Sequence, residues 1–129
     1  MTLSKIILVF ISMLFSSSLL AMSCVEYNSM GPNVQSLEEL QGQRITKSQI
    51  DVVRKNTAQK AGRVSALQYT PMAIKLNKVM NNKALMAELA GGTSTLVRAD
   101  CYRNPNKDFY DAVSDQFEYV VEYISNKYK

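Results

Sequence analysis

Two cysteines, Cys24 and Cys101, and two carboxylate pairs, Asp111/Asp115 and Glu118/Glu122, are the residues of this 129-residue chain whose types and spacing could do chemistry. In an oxidising compartment a cysteine pair closes a disulfide; elsewhere it ligates metal or attacks as a thiolate. Carboxylates four apart share one helix face, where they can do acid–base work or form a solvated charged surface. The solvated surface is the preferred reading, because carboxylates on exposed helix faces are seldom catalytic. The chain has no histidine, which removes the commonest general base, most zinc sites and every imidazole-dependent triad. Its five glycines are scattered, so there is no phosphate-cradling loop. No catalytic residue, metal or cofactor is expected, and the chain is read as non-enzymatic.

The compartment follows from the N-terminus. Lys5 precedes an apolar stretch, Ile6 to Leu20, broken only by serines and ended by the small residues Ala21 and Ser23. This is the layout of a secretory signal peptide spanning residues 1–23, with cleavage after Ala21 or after Ser23. It is too short and serine-broken for a membrane span, and no second such stretch follows, so a periplasmic product without stable membrane insertion is expected. Two readings of Cys24 stand side by side. The even cysteine count in an exported chain favours a Cys24–Cys101 disulfide; acylation of Cys24 is the alternative, though Ala21-Met22 match a lipobox poorly and Cys101 would be left an odd thiol. A disulfide enclosing most of the domain is worth on the order of 4 kcal/mol.

Residues 24–129 suffice for one small domain. The net charge of +4 is unevenly spread. Arg44, Lys47, Arg54, Lys55, Lys60, Arg63, Lys75, Lys78 and Lys83 face one acid, Asp51, in the middle of the chain. From Asp100 to Glu122 the sense reverses, with Asp100, Asp108, Asp111, Asp115, Glu118 and Glu122 against Arg103 and Lys107. The two segments should attract each other. Without basic–aromatic interleaving, the basic middle reads as a solvated helix face and not as a nucleic-acid surface.

Helix punctuation dominates and strand signals are weak. Ser36 with Glu39 opens a short turn to Gln41, ended by Gly42; Thr46 with Gln49 opens a helix that stops near Gly62. Thr70-Pro71 starts a helix carrying Met72, Leu76, Val79, Met80, Leu85, Met86 and Leu89, interrupted or kinked at Asn81-Asn82 and stopped at Gly91-Gly92. Thr93 or Thr95 then caps a short helix delivering Cys101, and Asn104-Pro105 starts the last helix, whose apolar face is Phe109, Val113, Phe117, Val120 and Ile124. The expected fold is all-α: a single domain of four to five helices, with one bridge from its front to the turn before the last helix. Met72, Met80 and Met86 are read as core. The tyrosines after Cys101 (Tyr102, Tyr110, Tyr119, Tyr123, Tyr128) suit either packing or a partner surface.

The stretch from Cys101-Tyr102-Arg103-Asn104-Pro105-Asn106-Lys107-Asp108-Phe109 to Val113, Phe117 and Ile124 resembles the closing segment of the HdeA/HdeB family of periplasmic acid-stress chaperones. There a cysteine precedes a short polar Lys-containing turn and a terminal amphipathic helix. Ser23-Cys24-Val25-Glu26-Tyr27 is similar to the family's opening. Together the two blocks cover about a third of the mature chain. The segment between the cysteines is much longer than the family's, and the basic middle has no counterpart there.

The resemblance implies a homodimer near neutral pH that partly unfolds in acid and holds unfolding clients soluble. Its client surface would be Phe109, Val113, Phe117, Val120 and Ile124 with Leu85, Met86 and Leu89. Without histidine, an acid switch must use carboxylates, here Asp108, Asp111, Asp115, Glu118 and Glu122, and operates below about pH 5. An alternative from another class is an exported binding protein, since the same build resembles Tai-type immunity proteins that neutralise a toxin.

Overall fold

Six helices, each opened by a side-chain cap, make up the computed structural model, which describes residues 22–129. The expected export segment, apart from Met22 and Ser23, lies outside the described residues. The helices are α1 (Cys24–Ser29), α2 (Leu37–Gly42), α3 (Lys47–Ala66), α4 (Pro71–Met80), α5 (Lys83–Arg103) and α6 (Phe109–Lys127). The chain is all-α with one disulfide, Cys24–Cys101. Punctuation suggested four to five because it did not register the six-residue α1 and left Asn81-Asn82 as either an interruption or a kink.

Thr46 and Gln49 form a complete capping box at α3. At α2 the box is half formed: Ser36 Oγ accepts from Glu39 N at 3.0 Å, while Glu39 Oε2 accepts from Gln35 N at 3.1 Å. Thr70 caps α4 with Pro71 in its first turn. Asn82 Oδ1 accepts from Ala84 N and Leu85 N, so Asn81-Asn82 separates two helices and does not kink one.

Three expected boundaries are corrected. Helix α3 runs through Gly62 to Ala66. Helix α5 runs straight through Gly91-Gly92, so neither Thr93 nor Thr95 caps a helix; Thr93 is fully buried mid-helix and Thr95 Oγ1 donates to Gly91 O at 2.9 Å. The reason lies in packing: a Cβ at Gly92 would stand 3.2 Å from Val120 Cγ1, so the missing side chain lets α5 and α6 approach. Glycine costs an interior helix position about 1 kcal/mol, which the close contact offsets. Asn104 caps the C-terminus of α5, a turn follows, and Asp108 caps α6 by accepting from Asp111 N at 3.0 Å. Cys101 therefore sits in the last turn of α5, not in the turn after it.

Helices α5 and α6 form an antiparallel hairpin across this turn, with Gly92 beside Val120 and Glu88 beside Lys127. Helix α6 packs against α3, α4 and α5 and divides the core in two. Its first turns place Phe109, Ala112 and Val113 with Cys24, Tyr27, Val53, Val97 and Cys101. Its later turns place Phe117, Val120, Val121 and Ile124 with Val64, Ala73, Leu76, Val79 and Leu89. Among the described residues no helix is long and apolar enough to cross a membrane.

Candidate functional site

The cysteine end is a knot of covalent and polar ties. Cys24 and Cys101 are fully buried and bonded, so the Cys24 sulfur is not free for acylation. Around them Cys24 N donates to Lys107 O at 2.9 Å, Val25 N to Pro105 O at 2.9 Å and Phe109 N to Met22 O at 2.8 Å. Asn28 Nδ2 donates to Cys101 O at 2.9 Å, and the Tyr27 and Phe109 rings stack at 4.9 Å. Burial pushes the Tyr27 phenol up to about 12, against the opposing pull of the Arg98 charge. The Tyr27 hydroxyl has no hydrogen-bond partner among the described residues.

Arg98 reaches from α5 to the carbonyl of Leu40, at the C-terminal end of α2. Leu40 O also accepts from Gln43 N at 3.1 Å, so the Arg98 cation is a second donor at the negative end of α2 and fastens the segment before α3 onto the hairpin. A cavity of about 400 Å³ beside it is lined by Asn28, Ser29, Gln49, Arg98 and Tyr102 among others.

The expected attraction between the basic middle and the acidic end takes a definite form. Lys60 meets Glu118 and Lys75 meets Glu122, each at 2.7 Å, joining α3 and α4 to the flank of α6. Asp115 pairs instead with Lys107 at 2.8 Å, in the turn before its own helix. Asp108 is a helix cap, and Asp111 is exposed and makes no ion pair among the described residues.

The buried carboxylate is Asp100, which was not among the expected pH-sensing residues. It is 8 % exposed and accepts from Lys107 Nζ at 2.8 Å, Asn104 Nδ2 at 2.8 Å and Gln116 Nε2 at 3.2 Å. Burial pushes its pKa up, but the three hydrogen bonds and the Lys107 charge outweigh that and hold it below the ordinary aspartate value. The same contacts, Asp100 first and Asp115 second, raise Lys107. Asn104 four residues on and Lys107 seven on were a legible signal for this cluster; Gln116, from the next helix, was not.

The apolar residues expected to receive clients are in the core. Phe109, Val113, Phe117, Val120, Ile124 and Leu89 are at most 6 % exposed, Leu85 is half-buried and only Met86 is open, at 44 %. Met80, expected in the core with Met86 and Met72, is likewise exposed, and Met72 is half-buried. Both exposed methionines border a groove of about 580 Å³ between α3 and α5. Tyr119, Tyr123 and Tyr128 are exposed along α6, whereas Tyr110 lies under the Arg63 guanidinium at 4.8 Å.

Comparison with family models, curated proteins and solved structures finds no match. Among the described residues no group of three or more potential ligands is placed to hold a metal ion.

Proposed function

We propose that the protein is a periplasmic acid-activated holdase whose client surface is the buried face of α6. One observation carries this reading: four of the five ion pairs among the described residues hold a side chain of α6, and in each the partners are a carboxylate and a lysine. Acid removes the negative member of every pair and leaves the 14 Lys and Arg that follow residue 23 uncompensated. The exposed pairs are worth at most about 1 kcal/mol each; Asp100 is worth more, because it is buried and charge-assisted. A helix so released bares Phe117, Val120 and Ile124, an apolar stripe able to hold an unfolding chain.

Acidification to about pH 2 is expected to abolish near-UV circular dichroism, raise binding of a hydrophobic dye and suppress aggregation of an acid-labile test protein. An unchanged fold with no suppression would sink the proposal. The exposed Tyr119, Tyr123 and Tyr128 favour a second reading, an exported binding protein with a dedicated partner. A tight stoichiometric complex near neutral pH, weakened by Tyr119→Ala, would select it.

A further inference from the structure

The groove between α3 and α5 is floored by Leu76 and Phe117 and has a volume of about 580 Å³, within the ~300–1,000 Å³ range of small-molecule sites. Its openness has a cause in the sequence. Ala58 and Ala61 on one wall, and Ala90 and Gly91 on the other, are too short to span it. A Cβ added at Gly91 would meet nothing within 4 Å. Ile50, Met80 and Met86 are left 37 %, 42 % and 44 % exposed in its lining. An aliphatic group laid there would remove that surface from water, a gain of about 25 cal/mol per Å².

Two polar features break the apolar lining. Arg54 is exposed on the groove and makes no ion pair among the described residues, and no carboxylate lines the groove. Thr57 Oγ1 is buried in the wall without a hydrogen-bond partner among the described residues, able to donate or accept. One uncompensated cation, one idle hydroxyl and an apolar trough complement a molecule with a single anionic head and an aliphatic tail.

We infer that this groove binds a free single-chain anionic amphiphile, an alkyl carboxylate. Its tail lies along the exposed Ile50, Met80 and Met86, and its head is held by Arg54 and Thr57. The site belongs to the folded state near neutral pH and does not depend on acid opening.

The test titrates dodecanoate, below its micelle concentration, into the oxidised full chain near neutral pH by isothermal titration calorimetry. Saturable one-to-one binding is expected, tighter than that of dodecyltrimethylammonium. Gly91→Leu fills the groove and exchanges glycine for a better helix former. It should weaken binding at least about tenfold while Tm holds or rises; Ala90→Leu repeats the block from the neighbouring position should Tm fall. Arg54→Glu should weaken dodecanoate at least about tenfold and improve the cationic amphiphile. No saturable heat, unchanged binding in both blocking variants, or equal affinity for the two head groups overturns the inference. Binding to anionic phospholipid vesicles but not to monomeric dodecanoate overturns it in favour of a membrane surface. A dimer in sedimentation that Gly91→Leu dissolves overturns it in favour of a second copy of the chain.

Discussion

Lys107 Nζ lies 2.8 Å from Asp100 Oδ2 and, on its other side, 2.8 Å from Asp115, so one ammonium ties the last turn of α5 to the second turn of α6. Asp100 is the buried member, and Asp115 the exposed one. The buried member should therefore dominate the response to acid.

Asp100 is held below its ordinary value in the folded state, so it contributes stability fully above the unfolded value near 3.9 and loses it as pH falls through the lower folded value. Asp100→Asn should cost about 2 kcal/mol near neutral pH. The gap to the unmodified protein should narrow as pH falls through the unfolded value near 3.9. Urea denaturation near neutral pH and at about pH 3 measures this; an equal gap at both would show that Asp100 is not the acid-labile group. Lys107 is raised, so its contribution is lost only as pH rises past 10.5 and plays no part in the acid response.

The two outer pairs should behave differently. Glu118 and Glu122 are roughly half exposed at their side chains, where ion pairs are worth about 0–1 kcal/mol and are screened by salt. Glu118→Gln with Glu122→Gln is expected to cost less than about 2 kcal/mol in low salt, and most of that should vanish near 1 M salt. Denaturation at two salt concentrations decides it.

Adjacent glycines in α5 should respond in opposite directions. Gly91 faces the open groove and Gly92 faces Val120. Gly91→Ala should stabilise by about 0.5–1 kcal/mol. Gly92→Val forces a branched side chain against Val120 and should cost about 1–3 kcal/mol. Thermal unfolding of the pair reads the sign directly, and a shared sign would contradict the packing assigned to Gly92.

This contrast also shows where the sequence stops being legible. Caps such as Thr46/Gln49 and Thr70-Pro71 are local, and α3 and α4 begin where those residues place them. The spacing of Phe109, Val113, Phe117, Val120 and Ile124 revealed the buried face of α6 for the same reason. Gly91-Gly92 read as a stop because local propensity opposes glycine in helices; only the approach of Val120, distant in sequence, reverses that. The charge asymmetry foretold attraction between the basic middle and the acidic end but not its pairs. Lys60–Glu118 and Lys75–Glu122 depend on how α3 and α4 are rotated against α6. Met80 and Met86 looked like core by type, and a groove left open by small neighbours exposes them.

Tyr27 carries a fully buried hydroxyl with no partner among the described residues. Leaving such a group unsatisfied costs about 1–3 kcal/mol, so Tyr27→Phe should hold or raise stability by up to about 1 kcal/mol. Because the phenol is raised to about 12, its contribution is complete below the ordinary value near 10 and is lost as pH rises from there towards 12. The variant should lose less stability than the parent across that alkaline window. Tyrosinate absorbance, followed alongside unfolding, would contradict this if Tyr27 ionised with the exposed tyrosines.

The Cys24–Cys101 bridge joins residues 77 apart, and loop-closure entropy puts its stabilisation at about 4.5 kcal/mol. Acid does not touch that contribution, because the bridge constrains the unfolded chain whatever the charge on Asp100. The bridge also pins α1 to the last turn of α5, beside the turn where Phe109 N donates to Met22 O and Cys24 N to Lys107 O, so α1 cannot leave that end of the hairpin while the sulfurs are joined. At about pH 2 the oxidised protein should therefore lose its near-UV signal and keep helical far-UV intensity. The reduced protein, or Cys24→Ser with Cys101→Ser, should lose both. Near neutral pH the same change should lower stability by about 4 kcal/mol. Circular dichroism of both forms across the acid range makes the comparison; a reduced chain that keeps its acid helicity would show that the core around Phe117 and Ile124, not the bridge, limits how far the molecule opens.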